Sequence, residues 1–275
     1  MAASTTYRHF KVSVPHEYVA HVEISRADKV NALQKELRQV FDDLSEDASV
    51  RAVVLSGAGD RGFSTGLDLV AAQSPGTLFN PLPEDIADGA RYAARVRKFA
   101  VRAQDCVTSI ERRHLRPAWH HEGLAVDIAT CADLWLCTSD ATFSVKEVDA
   151  GLAADVSTLT RLPKIVGSYA WVKEVSLTAR VFGADEALRV GFVNSVWPTK
   201  AAALHEARRI AVVLASKSPV AVQGTKNFLD WCRDHDITTG LRYTAMWNGG
   251  ALNTKDVPHA IGAIQGKYKP RFEKL

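Results

Sequence analysis

Residues 51–57, RAVVLSG, form a short apolar run that ends in glycine, a composition typical of a buried β-strand. Two β-rich runs, at 10–14 and 19–25, precede it at a spacing that predicts a hairpin. Between the hairpin and the buried strand, apolar residues recur at helical spacing, which predicts an amphipathic helix. The order strand, strand, helix, strand indicates an α/β architecture. The helical apolar positions are Leu33, Leu37, Val40, Phe41 and Leu44.

The rest of the chain predicts further α/β structure followed by a helical C-terminal third. Residues 74–89 are rich in proline and glycine and predict a surface loop before a long helix from about 85 to 110. A helix and a strand follow at 123–137. We therefore expect an α/β core over 1–198 and a helical oligomerisation region over 199–275. The inward face of the long helix is predicted to consist of Phe99, Ala103, Cys106, Val107 and Ile110, and further helices are predicted at 167–178, 199–216, 218–231 and 237–247.

Composition excludes several classes of protein. The chain has 275 residues, 47% of them hydrophobic, and a formal net charge of +3, which is too mild to indicate nucleic-acid binding. The four cysteines lack C-x-x-C spacing and predict core thiols in a reducing compartment. No apolar run reaches the roughly 18 residues of a membrane span, and the N-terminal segment has no signal-peptide pattern. We expect a protein that is neither secreted nor embedded in a membrane.

Two motifs that suggest cofactors are weak. GAGDRG at 57–62 fits the dinucleotide pattern G-x-G-x-x-G and follows a predicted strand. However, no acidic residue ends a second strand roughly 20 positions later, so a plain tight turn is favoured. His114, His120 and His121 lack the H-x-x-x-H spacing of a helical metal site, and no metal is predicted.

Acidic residues in apolar surroundings are the stronger candidates for chemistry. The segment VKEVDAGLAADV at 145–156 places Glu147, Asp149 and Asp155 among small and apolar residues, and Asp127 interrupts the apolar run GLAVDIAT. A carboxylate packed against such neighbours has its pKa raised toward neutrality, as acid/base catalysis requires. Solvated or purely structural acids remain the alternative, which periodicity does not decide.

Four ordered motifs resemble the enoyl-CoA hydratase/isomerase, or crotonase, superfamily, and the last of them is most similar to its dienoyl-CoA isomerase branch. The resemblance runs from about residue 8 to the C-terminus and implies a spiral of ββα units with a helical C-terminal region. It also implies assembly as a homotrimer or homohexamer. The motifs are SRADKVNAL (25–33), GAGDRGFSTGLDL (57–69), GLAVDIATCADLWLC (123–137) and FSVKEVDAGLAADVSTLTRLPKIVG (143–167).

The resemblance implies a set of site residues for an acyl-CoA thioester. Asp127, Glu147 and Asp155 are implied as the catalytic carboxylates, with Asp149 as a bystander. Asp155 would take a proton from C2 of a 3,5-dienoyl-CoA and Glu147 would deliver one at C6, as a step in fatty-acid β-oxidation. The thioester oxygen would accept from the backbone N–H groups of two residues, and the CoA moiety would contact another. These substrate-binding positions are Thr65 and Leu124 for the oxyanion hole, with Gly66 beside the first, and Ala32 for CoA.

Residues 112–122, RRHLRPAWHHE, depart from the family pattern, in which a buried strand is expected. Charges in a central strand cost several kcal/mol each, so we expect that the strand does not form as in the family. The segment is either a working loop that still presents the Leu124 N–H or the mark of an impaired member that only binds acyl-CoA. An enoyl-CoA hydratase is the nearest enzymatic alternative.

No metal, flavin or nicotinamide cofactor is implied, because the thioester itself activates the substrate. The last residues, KPRFEKL, resemble the peroxisomal S-K-L address except that Glu273 replaces a small residue. We therefore expect a peroxisomal protein, with mitochondrial or cytoplasmic addresses as alternatives.

Overall fold

The computed structural model describes residues 7–25, 33–59, 63, 74–111, 117–118 and 124–275. Its first sheet contains the predicted hairpin, β1 (Phe10–His16) and β2 (Val19–Ile24), paired antiparallel. Strand β3 (Ala52–Gly57) lies parallel to β2, and all six of its residues are buried. The predicted strand, strand, helix, strand order is confirmed, because α1 (Leu33–Glu46) connects β2 to β3.

A first hydrophobic core lies between this sheet and two helices. Helix α1 buries Leu37, Val40, Phe41 and Leu44, as its spacing predicts. A short helix α2 (Pro83–Ile86) precedes the long helix α3 (Gly89–Glu111). Helix α3 buries only residues in its second half, namely Ala103, Cys106, Val107, Ser109 and Ile110.

The long helix differs from its prediction at two points. It begins at Gly89 rather than near 85, because the Asp88 carboxylate accepts a hydrogen bond from Arg91 N at 3.0 Å and caps the first turn. Phe99 was predicted to face the core but is 36% exposed. That prediction was wrong because the first half of α3 extends past the core, where helical spacing no longer implies burial.

A second sheet contains three short parallel strands, β4 (Pro117–Ala118), β5 (Leu134–Thr138) and β8 (Ser195–Trp197). Helix α4 (Leu124–Thr130) precedes β5, as the sequence predicts. Strands β6 (Thr142–Phe143) and β7 (Phe182–Gly183) pair antiparallel, and a 3₁₀ helix spans Glu147–Ala150. A second core of stacked and edge-on aromatic rings joins these elements and includes Trp135, Phe143, Trp171, Phe182 and Phe192.

The chain from 158 onward is mostly helical. The four predicted C-terminal helices form with shifts of a few residues, and three further helices appear. Helix α8 packs alanines onto β2, β3 and β5, in contact with Val19, Val54 and Leu136. The helices are α5 (Thr158–Ile165), α6 (Tyr169–Thr178), α7 (Ala184–Val190), α8 (Lys200–Ala215), α9 (Pro219–Cys232), α10 (Ile237–Ala251) and α11 (Asp256–Gly266).

The cysteine prediction is confirmed at three of four positions. Burial raises the pKa of Cys106 and Cys131 to about 11 and that of Cys137 to about 12, which makes these thiols unreactive. Cys232, at the end of α9, is exposed and does not belong to a core. No helix within the described ranges has the length and apolar character needed to cross a bilayer.

Candidate active site

Asp127 lies in α4 and its side chain is buried. Its Oδ1 accepts three hydrogen bonds, from Ser157 N at 2.8 Å, Thr158 N at 2.7 Å and Thr158 Oγ1 at 2.8 Å. Ser157 and Thr158 begin α5, so Asp127 caps that helix from a distant part of the sequence. Burial raises the pKa of Asp127, these hydrogen bonds oppose the rise, and the charge of Asp155 adds to it.

Ser157 connects this cap to a larger polar network. Its hydroxyl is 2.8 Å from Thr130 Oγ1 and 3.3 Å from Cys131 Sγ. Arg161, one turn into α5, donates to the same hydroxyl at 3.0 Å. The start of α5 is therefore fixed on several sides.

Glu147 is the first residue of the 3₁₀ helix and is half-buried. Its Oε2 is buried and makes no hydrogen bond within the described part of the chain. Burial raises the pKa of Glu147, and the charges of Asp127 and Asp155 raise it further. A shielded carboxyl with a raised pKa and an unsatisfied oxygen has the properties of a proton donor.

Asp155 is exposed, which corrects the expectation of a dry pocket around it. The apolar stretch before it does not cover it, because Gly151, Leu152 and Ala153 are exposed themselves. Its charge nevertheless raises the pKa of both Asp127 and Glu147, so the three acids form one electrostatic cluster. Burial is greatest at Asp127, intermediate at Glu147 and least at Asp155.

Asp149 is separate from this cluster. Its side chain is 61% exposed and pairs with Lys146 at 3.3 Å. It is absent from the charges that shift the pKa of Asp127 or Glu147. A bystander role agrees with this position.

The expected oxyanion hole falls only partly within the described residues. Leu124 is the first residue of α4, so its N–H lies at a helix start as predicted. Thr65, Gly66 and Ala32 lie outside the described residues, as do His114, His120 and His121. The described histidines, cysteines and acids contain no group able to hold a metal ion.

The glycine turn after β3 is held by a lysine of α8. Gly59 has a φ of 70°, a left-handed conformation that glycine adopts without strain. Lys200 Nζ donates to the carbonyl oxygens of Gly57 and Gly59. The geometry at Gly57–Gly59 agrees with the tight turn predicted for this motif, and residues 60–62 lie outside the described residues.

A strand of two residues forms inside the unusual segment 112–122, and the expectation that the family strand does not form there in its usual way stays a prediction. Pro117 and Ala118 pair in parallel register with Leu134 and Trp135. Proline is tolerated there because only two residues pair and a single ladder position loses its donor. The remaining residues of the segment lie outside the described ranges.

Sequence reasoning missed four polar residues beside the acids. Gln104, Thr108 and Glu111 lie on α3, and Arg161 lies on α5. Gln104 Nε2 donates to the carbonyl oxygen of Asp155 at 2.6 Å, and Arg161 pairs with Glu111 at 2.6 Å. The sequence signal that could have identified the three residues of α3 is the i, i+4, i+7 spacing of Gln104, Thr108 and Glu111 on a helix with a buried apolar face.

Comparisons with known proteins identify the family. The chain matches the profile described as Enoyl-CoA hydratase/isomerase over residues 15–82 and 122–274, leaving 83–121, with most of the unusual segment, unmatched. It is 40% identical to Delta(3,5)-Delta(2,4)-dienoyl-CoA isomerase, mitochondrial, of Homo sapiens, over 95% of this chain and 80% of the relative. It is 37% identical to the peroxisomal protein of that name from Arabidopsis thaliana, over 94% and 93%.

Solved structures agree on the fold. Enoyl-CoA hydratase from Bacillus anthracis superposes with a TM-score of 0.84 at 23% identity, covering 96% of this chain and 99% of that one. Pseudomonas aeruginosa DspI gives a TM-score of 0.84 at 24% identity, covering 99% and 100%. The chain belongs to the enoyl-CoA hydratase/isomerase family, and its α/β fold is the crotonase fold.

Proposed function

We propose that this protein is a dienoyl-CoA isomerase, which converts a 3,5-dienoyl-CoA into the conjugated 2,4-dienoyl-CoA in fatty-acid β-oxidation. The observation that carries the proposal is the cluster of Asp127, Glu147 and Asp155, in which Asp127 binds the main chain two residues after Asp155, Glu147 has a buried oxygen without a hydrogen bond in the described chain, and burial raises the pKa of both Asp127 and Glu147. Relatives at 40% identity that are named dienoyl-CoA isomerases support the same reaction.

The reaction needs two acid/base groups because its two proton transfers occur four carbons apart. Asp155 removes a proton from C2, the electron pairs move to form the C2=C3 and C4=C5 bonds, and C6 takes a proton from Glu147. The raised pKa of Glu147 suits the donor, since the carboxyl keeps its proton to a higher pH. The exposed position of Asp155 leaves its carboxylate accessible to a substrate, as a base that must reach C2 requires.

The negative charge of the dienolate develops on the thioester oxygen. We assign its stabilisation to the backbone N–H groups of Leu124 and Thr65, with Gly66 beside the latter and Ala32 against the CoA moiety. The start of α4 at Leu124 supports the first donor, since helix starts present free N–H groups. Loss of one such donor typically lowers the rate by about 10²–10³.

Ultraviolet absorbance tests the proposal directly, because the product diene is conjugated with the thioester and the substrate diene is not. Purified protein mixed with a 3,5-dienoyl-CoA is expected to produce this absorbance. Hydration of a 2-enoyl-CoA without diene isomerisation would identify a hydratase instead. Acyl-CoA binding without turnover of either substrate would identify an impaired member and contradict both enzymatic assignments.

We also propose that the chain assembles as a homotrimer or homohexamer through residues 199–275, leaving 1–198 as the α/β core. Helix α11 exposes Val257, Ile261 and Ile264, spaced i, i+4, i+7, with exposed fractions of 36%, 52% and 78%. An apolar stripe of this kind on a helix supports a protein contact.

The address in the cell is proposed to be peroxisomal. Relatives carry both mitochondrial and peroxisomal names, which supports an organelle of either kind. Fluorescence microscopy of N-terminally tagged chain with a peroxisomal marker tests the proposal, and a mitochondrial pattern would contradict it.

A further inference from the structure

Helix α3 carries a polar stripe along the face that meets the segment bearing Asp155. We define the polar stripe as Gln104, Thr108 and Glu111, whose spacing of four and three residues places them on one side of the helix. All three are partly buried, beside the buried apolar residues of the same helix. Each makes a hydrogen bond to the segment 155–161.

The residues of the polar stripe contact the segment 155–161 in the same order along the chain. Gln104 Nε2 donates to the carbonyl oxygen of Asp155 at 2.6 Å. Arg161 Nη2 donates to Thr108 Oγ1 at 3.1 Å and to Glu111 Oε2 at 2.6 Å. The stripe therefore holds the segment at both of its ends.

Asp127 holds the same segment through a second contact. Its carboxylate binds the N–H of Ser157, two residues after Asp155. Two anchors thus fix the main chain from the Asp155 carbonyl to the Ser157 N–H, namely the Gln104 amide and the Asp127 carboxylate. The Asp155 side chain is exposed, so these two anchors act on the main chain from which its carboxylate extends.

We infer that Gln104 is a positioning residue that orients Asp155 by binding its main-chain carbonyl. This role rests on the proposed function for its kinetic consequence, but the anchor itself does not depend on the reaction. The chemical nature of the residue fits the role. A neutral amide donates without placing a charge beside the cluster, whereas a lysine would stabilise the ionised form of nearby carboxyls and weaken Asp155 as a base.

Gln104→Met removes the donor while keeping nearly the same side-chain length. We expect kcat for the 3,5-dienoyl-CoA to fall by about tenfold to hundredfold, because small displacements of reacting groups carry costs of that order. KM and Tm are expected to change little, since neither CoA contacts nor the apolar face of α3 are altered. Gln223→Met is the matched control on α9, at an exposed position, and is expected to leave kcat unchanged.

A double-mutant cycle separates positioning from an independent effect. If Gln104 acts through Asp155, Gln104→Met lowers the residual rate of the Asp155→Asn protein by less than twofold. Full additivity of the two losses would overturn the inference. So would an unchanged kcat in the single Gln104→Met variant.

Hydrogen exchange tests the anchor without any turnover. Peptides spanning 152–158 are expected to exchange faster in Gln104→Met than in wild type, while those of α8 do not change. Unchanged exchange at 152–158 contradicts the positioning role whatever the reaction is. If the wild-type protein shows no isomerase turnover, the proposed function is contradicted but the Gln104 anchor is not. The exchange and turnover experiments therefore test the two proposals separately.

Discussion

At the scale of single residues, the three acids of the cluster differ in environment although they act on one another. Asp127 is buried and its Oδ1 is saturated by donors, which suits a group that organises structure. Glu147 is half-buried with an unsatisfied oxygen, and Asp155 is exposed. The gradient in burial assigns different tasks to acids that look equivalent in the sequence.

Asp155→Asn is expected to remove most isomerase turnover, since the amide cannot accept a proton from C2. Loss of general-base catalysis costs typically 10²–10⁴-fold. Asp149→Asn is the matched control, because Asp149 is exposed and lies in the same segment. Absorbance assays on both variants check the assignment, and equal rates in the two proteins would reject it.

Glu147→Gln is expected to stabilise the protein at neutral pH relative to wild type. The folded-state pKa of Glu147 is raised, so the native state binds its proton more tightly than the unfolded state does. Its stabilising contribution is present below the unfolded pKa and is lost as pH rises through the folded pKa. Thermal unfolding of both proteins from pH 4 to 8 should show the variant gaining on wild type as pH rises, and parallel curves would contradict the shift.

Asp127 can be tested for its capping role with two substitutions. Asp127→Asn keeps an acceptor for the Ser157 and Thr158 N–H groups, whereas Asp127→Ala leaves them without one. Loss of a helix cap costs about 0.5–2 kcal/mol, and unsatisfied buried donors add to that cost. Denaturant unfolding should rank Asp127→Ala well below Asp127→Asn, and equal losses would indicate that the charge matters more than the cap.

At the scale of secondary-structure elements, α3 and α5 are joined by a carboxylate shared between two arginines. Glu111 accepts from Arg161 and from Arg233 Nη2, the latter at 2.7 Å at the end of α9. Burial alone would raise the pKa of Glu111, but the hydrogen bonds from Arg161 and Arg233 outweigh it and lower the pKa. One side chain thus ties the helix before the site, the helix after it and the C-terminal region.

Glu111→Gln should destabilise the fold because two partly buried guanidinium groups lose their counter-charge. The cost is expected below the roughly 3–5 kcal/mol of a fully buried pair, since the Glu111 side chain is 15% exposed. Because its pKa is lowered, the contribution is present above the unfolded pKa and lost as pH falls through the folded pKa. Urea unfolding at pH 7 and pH 3 should show the deficit shrinking at the lower pH. Glu174→Gln, which breaks the exposed pair with Arg180, is the control and should cost at most about 1 kcal/mol.

Elements with strong local signals were predictable, and features set by tertiary contacts were not. Strands β2 and β3 and helix α1 follow from composition and periodicity, because their apolar residues meet the first core directly, and β1 joins that core through Phe10. The start of α3 depends on the Asp88 cap, and the exposure of Phe99 depends on how far the core extends. The identities of the three acids follow from family resemblance, whereas their different burial and the Gln104 anchor depend on how α3 packs against residues distant in sequence.

At the scale of the whole molecule, polar contacts attach the C-terminal helices to the core. Lys226 in α9 is buried and pairs with Asp133, which precedes β5. Arg51 at the start of β3 donates to the carbonyl oxygens of Phe272 at 2.8 Å and Glu273 at 2.9 Å. The helical region is therefore held to the core by specific ion pairs and hydrogen bonds, while large apolar side chains on its outer side remain uncovered.

Ile264→Glu should shift the proposed oligomer toward monomers without unfolding the protein. Ile264 is 78% exposed in the single chain, so a charge there costs little in the monomer. Within a subunit contact the same charge would be buried without a partner, which is strongly unfavourable. Sedimentation velocity of wild type should show an oligomer, and the variant should sediment more slowly at equal concentration. Lys267→Gln, three residues further along and just past the end of α11, also lowers the net charge by one and is the control that should keep the wild-type assembly. If Ile264→Glu leaves the assembly unchanged, the subunit contact lies on another surface. If the wild-type protein is a monomer, the proposed oligomer is contradicted.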